Sequence, residues 1–244
     1  MKALVSYEIV DFDERLLVVN KPAGLAALPA RGGRQSLLGL LREDPRVASY
    51  PVLPVHRMEA DASGLILFAR SPDAQRALQR QLREHAVVRE FMAIVRGAPL
   101  EDSGVVDLPL GADRVDKKRM TIRGENPRPG RTTWKMLERF RAVSLLAAVP
   151  VTALRHQIRA HLKAMGYPLA VDKLYGGEAL LLSEFKRGYR LGKGQEERPL
   201  ISRLTLHAHS ISLPRQAGGE PRTYTVEAPK DFQTTLKALR RWSA

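Results

Sequence analysis

The sequence predicts an α+β fold built on a mixed, largely antiparallel sheet flanked by helices and loops. Three observations lead there. Strand-type segments follow one another directly, as residues 132–140 and 144–151 do with no helix between them. Helix-type segments are few and irregularly spaced, unlike the steady strand–helix alternation of a doubly wound parallel sheet. At 244 residues with 44% hydrophobic content, the chain can bury a large core as one domain spanning residues 1–244.

The elements are justified in order. Residues 16–20 (Leu-Leu-Val-Val-Asn) form a short buried strand stopped by Lys21-Pro22-Ala23-Gly24. Residues 36–42 read as a helix capped by Ser36, and residues 65–69 as a second buried strand. Ser71, Pro72 and Asp73 put a cap, a first-turn proline and a first-turn acid where a helix favours them. Ala74, Leu78 and Leu82 make its inward stripe, and it ends near His85. Residues 87–95 return as a strand. A helix over residues 155–165 carries Ile158, Leu162 and Met165 on one side and Arg155, Arg159 and Lys163 on another, with Gly166 and Pro168 ending it. Strands at 204–213 and 222–227 and a helix at 231–242 complete the set. Two stretches lack apolar periodicity. Residues 111–130, rich in charge, Gly and Pro, read as an exposed excursion. Residues 184–199 interleave basic residues with Phe185 and Tyr189, as a loop touching RNA phosphates and bases would, or simply as a solvated loop.

Forty Lys and Arg against 26 Asp and Glu leave a net charge of +14, which favours polyanionic partners. Cysteine is absent, excluding disulfides and thiolate metal sites and suiting a reducing cytoplasm. The six histidines form no H-E-x-x-H arrangement, so no metal is expected. The start of the chain lacks a signal-peptide profile, and the longest stretch without charge, residues 142–154, is 13 residues with a proline, too short to span a bilayer. A cytoplasmic location, and a monomer, are the expectations.

The segment that carries chemistry is His56-Arg57-Met58-Glu59-Ala60-Asp61-Ala62-Ser63-Gly64, set directly against the buried strand. Charged groups beside a core strand are costly unless paired or used. The segment closely resembles the H-R-L-D-x-x-T-S-G signature of RluA-type pseudouridine synthases, with Glu59 where the family has its catalytic aspartate. Residues 16–24 are similar to the family's L-x-V-x-N-K-P-x-G, residues 89–97 to its K-x-Y-x-A-x-V-x-G, and residues 152–162 to its T-G-R-T-H-Q-I-R-V-H-L. Gly166-Tyr167-Pro168 and Asp172-Lys173-Leu174-Tyr175-Gly176 follow at the family's distance, and residues 206–208 and 226–229 match its closing strands.

The resemblance implies a pseudouridine synthase catalytic fold with a central cleft, no N-terminal S4-type RNA-binding domain, and no cofactor or metal. It implies isomerisation of uridine in ribosomal or transfer RNA: the bond from C1′ to N1 breaks, the uracil turns, and C5 joins C1′. The target nucleotide is flipped out of its stack to reach the site. By the same resemblance Glu59 is the carboxylate, Arg159 the arginine paired with it, Phe91 the aromatic that stacks on the base, and Arg57 the arginine that helps extrude the nucleotide. His56, Asp61, Arg155 and Ile158 join Arg57 and Phe91 in the candidate substrate-binding set. His56 and His156 read as hydrogen-bonding scaffold.

Glu59 adds one methylene to the family's aspartate, and Phe91 lacks the hydroxyl of the family's tyrosine. Two alternatives therefore stand beside an active synthase. One is a catalytically silent relative that binds RNA. The other is a glycosidase pair, Glu59 and Asp61, sharing one face of a strand at i and i+2.

Overall fold

The computed structural model describes residues 6–29, 35–47, 49–192, 194–214 and 220–243. The chain divides into two compact units: a first of residues 1–89 and 207–227, and a second of residues 90–206 and 228–244. The first supplies β1 (Glu8–Phe12), β2 (Leu16–Lys21), α1 (Leu37–Glu43), β3 (Leu53–Pro54), β4 (Ser63–Ala69) and α2 (Pro72–Arg83). Strand β5 (Val88–Arg96) leads into the second, followed by β6 (Ser103–Asp107), β7 (Leu110–Ala112), β8 (Met120–Thr121), β9 (Glu125–Arg128), β10 (Arg131–Arg139), β11 (Val143–Pro150) and α3 (Gln157–Ala164). The chain returns to the first unit in β12 (Leu206–Leu213) and β13 (Arg222–Thr225), and α4 (Lys230–Trp242) belongs to the second.

In the first unit the strands run in the order β1-β2-β4-β12, with β3 against β4 and β13 against β12. Every pairing is antiparallel except β4 with β12. All seven residues of β4 are buried, which is why its sequence is a continuous apolar run rather than an alternation. Leu65, Leu67 and Ala69 point to one side of it and meet Leu16, Val18, Ile211, Leu213 and the α2 residues Ala74 and Leu78. Helix α2 begins as its lettering predicts, with the Ser71 hydroxyl accepting from the Ala74 N–H at 3.2 Å. Ser36 caps α1 in the same way, accepting from Gly39.

In the second unit β5, β11, β10 and β6 pair antiparallel in that order. Phe232, Leu236 and Leu239 of α4 recur at helical spacing and close over Ile94, Val143 and Leu145. Two expectations need correction here. The 111–130 stretch is largely exposed, as its lettering predicts, and it also carries strands: β7, β8 and β9 make a small antiparallel sheet in the order β8-β7-β9. Leu110 and Met120 pack on Ala160 and Tyr175, the backbones approach closely, and a Cβ on Gly111 would lie 2.3 Å from the Glu125 carbonyl oxygen. Phe185, read as a base-stacking aromatic, is 3% exposed and sits in the α4 core instead. Lys186 of the same loop lies over the Trp242 ring at 4.6 Å, and Lys193 falls outside the described residues.

The second correction concerns α3. It starts at Gln157, not at 155, because His156 takes a left-handed conformation (φ 51°) at the cap position. Arg155 therefore precedes the helix and does not join Arg159 and Lys163 on one helix face, and Arg159 is buried. Strands β1 and β6 were not expected. They are edge strands with polar exposed positions, and of the residues 103–107 only Val106 is buried. Among the described residues no helix is long and apolar enough to cross a membrane.

The parallel register of β4 and β12 brings Gly64 opposite Ala208. Gly64 has φ +109°, and a Cβ there would stand 2.1 Å from the Ala208 carbonyl oxygen. Backbone cannot yield as a side-chain end can, so Gly64→Ala is expected to cost more than about 4 kcal/mol. Chemical denaturation checks this, and a loss under about 1 kcal/mol contradicts the close approach.

Candidate active site

The first unit carries the candidate carboxylate on a turn that precedes β4. The Ala62 N–H donates to the Glu59 carbonyl at 3.3 Å, closing the turn over residues 59–62. A second segment fixes this turn. The Lys21 side chain is fully buried, and its ammonium donates to the carbonyls of Pro22, Leu25 and Ala60 at 2.8, 2.9 and 2.9 Å. The Gly24 N–H donates to the same Ala60 carbonyl at 2.8 Å. The Asn-Lys-Pro-Ala-Gly segment is thus the clamp on the turn that holds Glu59, a role invisible when Lys21 is read only as the end of a strand.

Within the turn Glu59 is half-buried, while Arg57 and Asp61 are exposed. Glu59 and Asp61 stand on a turn, not on a strand, so the shared face on which a glycosidase pair rested is absent. His56 is held at both ring nitrogens: Nε2 accepts from the Leu67 N–H at 3.1 Å, and Nδ1 lies 3.3 Å from the Arg57 carbonyl. That network puts the ring proton on Nδ1. Burial, aided by the charge of Arg89, pushes the His56 pKa down to about 3. The neutral ring is scaffold joining the motif to β4, as its sequence reading holds.

In the second unit Arg159 is 8% exposed and Asp172 2% exposed. Nε and Nη2 of Arg159 meet the two carboxylate oxygens of Asp172 at 2.7 and 2.6 Å in a fork-to-fork pair. Asp172 Oδ1 also accepts from the N–H groups of Leu174 and Tyr175 at 3.0 and 3.1 Å. The Tyr175 ring lies 4.8 Å beneath the Arg159 guanidinium, and its hydroxyl accepts from the Met120 N–H at 2.8 Å. The expected partner of Arg159 was Glu59, a residue of the other unit. Asp172 and Tyr175 were available in the sequence as the Asp-Lys-Leu-Tyr-Gly block but were given no role.

The approach to α3 is held by Gln157. Its amide oxygen accepts from the Thr152 hydroxyl at 2.7 Å and the Leu154 N–H at 3.0 Å, and its amide nitrogen donates to the Arg131 carbonyl at 2.8 Å. His161 is fully buried between the Thr132 hydroxyl and the Leu108 carbonyl. Ile158 is buried at 5% exposure and Phe91 at 9%. Arg155 is exposed, and its guanidinium donates to the carbonyls of Lys117 and Lys118 at 3.3 and 3.0 Å, which ties α3 to the turn before β8.

Comparison with known proteins adds to this geometry. The family model for RNA pseudouridylate synthase matches residues 15–164. Ribosomal large subunit pseudouridine synthase D of Nitrosomonas europaea is 34% identical over 239 residues, covering 97% of this chain and 66% of that protein. Ribosomal large subunit pseudouridine synthase C of Pasteurella multocida is 35% identical, covering 96% of this chain and 68% of that protein. The chain thus spans about two-thirds of the length of these curated relatives. The solved structure titled Human RNA Pseudouridylate Synthase Domain Containing 4 superposes with a TM-score of 0.72 at 24% identity, covering 95% of this chain and 92% of that one, which speaks for the fold.

Two outcomes follow from the side-chain environments. Arg159→Ala strands the Asp172 carboxylate in a site without solvent, and thermal or chemical unfolding is expected to register a loss of about 3–5 kcal/mol. Wild-type stability in that variant would mean the pair is solvated. The His56 ring stays neutral in the folded protein down to about pH 3, whereas the unfolded chain protonates it near pH 6.5. Its stabilising contribution is complete above that unfolded value and is lost as pH falls, by up to about 1.4 kcal/mol per pH unit. The slope of stability against pH between about 6.5 and 4.5 should therefore be shallower in His56→Gln than in wild type. Equal slopes would place a protonated His56 in the folded state.

Proposed function

The chain is a member of the RNA pseudouridylate synthase family, of RluA type, and on that premise we propose that it isomerises uridine to pseudouridine in ribosomal RNA, with Glu59 as the carboxylate that starts the reaction. The observation that carries the reading is the clamped turn. Of the two carboxylates in the motif, Glu59 is the one withdrawn from solvent, on a turn fixed through Ala60 by a buried ammonium and the Gly24 amide. A carboxylate carried on a backbone held that firmly suits attack on, or proton removal from, the sugar carbon of one nucleotide. The choice of ribosomal RNA follows the names of the curated relatives.

The reaction conserves its atoms. The C1′–N1 bond breaks, the uracil turns, a C1′–C5 bond forms, and the proton leaving C5 is balanced by one taken up at N1. Phe91 offers a ring for the base to stack on but no hydroxyl for the C5 proton, so a different group or water takes that proton. For Arg159 the rigid fork with Asp172 and the ring of Tyr175 supply a guanidinium of fixed orientation. Arg57 is exposed beside the turn, which suits an arginine that meets phosphates as a nucleotide leaves its stack.

The departures at Glu59 and Phe91 favour one second reading, a silent relative that binds RNA without modifying it, and one assay separates the two. Ribosomal RNA transcribed with uridine tritiated at C5 releases tritium when pseudouridine forms. Wild-type protein is expected to release it and Glu59→Gln to release none. Glu59→Asp restores the family's reach, and with a displacement of about 1 Å worth on the order of a hundredfold in rate, it should be faster than wild type. Phe91→Tyr combined with Glu59→Asp should exceed either change alone. No release by wild type on any ribosomal RNA supports the silent relative. Release that survives Glu59→Gln moves the role to another carboxylate, Asp61 first.

A further inference from the structure

Arg89 is a buried cation that the first unit does not satisfy. It is 9% exposed, and its Nε is buried without a hydrogen-bond partner. Its neighbours in charge are Glu59, whose carboxylate attracts it, and His56, whose protonation it opposes. Glu59 does not close on it as an ion pair among the described residues. Burial pulls the Arg89 pKa down, the mark of a charge held away from water.

Two other buried arginines show what a structural guanidinium looks like here. Arg159 has the two-oxygen fork of Asp172. Arg70, whose Nε and Nη1 are also buried without a hydrogen-bond partner, is covered by the Tyr50 ring at 4.5 Å and the Phe12 ring at 5.3 Å, and its Nη2 donates to the Val47 carbonyl. Among the described residues Arg89 has neither a carboxylate fork nor a ring. A buried charge left in that state is destabilising, and such a cost persists where a ligand completes the group. The position fits a ligand: Arg89 opens the buried alternation of β5 that continues with Phe91 and Ala93. A guanidinium's donors match a phosphate in pairs, and a nucleotide drawn towards Glu59 brings its own negative phosphate close to that carboxylate.

We propose that Arg89 is a phosphate-binding residue of the substrate site, receiving a phosphodiester of the RNA beside the nucleotide on which Glu59 acts. This rests on the reading of the chain as an RNA pseudouridine synthase. The arginine is then shared by two anions, the Glu59 carboxylate and the phosphate, and offsets the repulsion between them. Such a contact does not depend on the base, so it adds affinity without adding sequence preference.

Binding of single-stranded oligouridine, followed by fluorescence anisotropy between about 50 and 300 mM salt, reads the contact directly. Arg89→Met is expected to bind more weakly, with the log–log salt slope reduced by about 0.7, the share of one single-strand phosphate. Arg89→Lys should keep most of the slope. Without RNA, Arg89→Met should melt at or above the wild-type temperature, because it removes an unsatisfied buried charge. Weaker binding at an unchanged slope would mean a neutral acceptor such as a uracil carbonyl and overturns the proposal. A fall of more than about 5 °C in melting temperature, or failure to fold, makes Arg89 structural and overturns it as well. Wild-type protein that does not bind the oligouridine at low salt removes the RNA reading itself, whereas binding that is identical in Arg89→Met removes only Arg89.

Discussion

The site depends first on one buried ammonium. Lys21 lies at the end of β2 with no exposed surface, and its ammonium donates to three carbonyls from two places in the chain. Burying a lysine costs several kcal/mol unless every proton finds an acceptor, so the loop of residues 22–25 and the turn at Ala60 are locked to one geometry together. Glu59 is the residue before Ala60. Its backbone is held by the same interaction, and the extra methylene of a glutamate then works from a fixed origin rather than from a mobile loop.

A second constraint of the same kind operates in the other unit. The Arg159–Asp172 pair is worth little net stability compared with an apolar substitute, because two charges have been taken out of water to make it. What it provides is orientation. With Tyr175 beneath the guanidinium and two backbone amides on the carboxylate, neither partner can turn. Each unit thus holds a charge in place with groups that contribute orientation more than stability.

Much of this was legible from the residues, and the failures have physical causes. Helix α2 announced itself through Ser71, Pro72 and Asp73, and β4 through an uninterrupted apolar run, because caps and full burial write directly into composition. Helix α3 was placed two residues early, since a left-handed histidine at its cap leaves no compositional trace. The partner of Arg159 was not legible: the resemblance pairs it with Glu59, and no spacing in the sequence shows that Asp172 takes two of its nitrogens. Phe185 was misread for a similar reason, since basic neighbours suggested a surface while its partners lie in α4, far along the chain. The sheet of β7, β8 and β9 left no alternation to read because its strands are only two to four residues long. Lys21 was quoted as part of a motif without a function, because three carbonyl acceptors are a property of tertiary structure that no spacing reveals.

The claim that this chain modifies RNA through Glu59 is tested most directly in cells. Mass-spectrometric mapping of pseudouridine would compare ribosomal RNA from cells with the gene, without it, and with only the Glu59→Gln form supplied. The account predicts at least one uridine that is pseudouridine in the first, unmodified in the second and still unmodified in the third. An unchanged map on deletion, or restoration of the modification by Glu59→Gln, would contradict it.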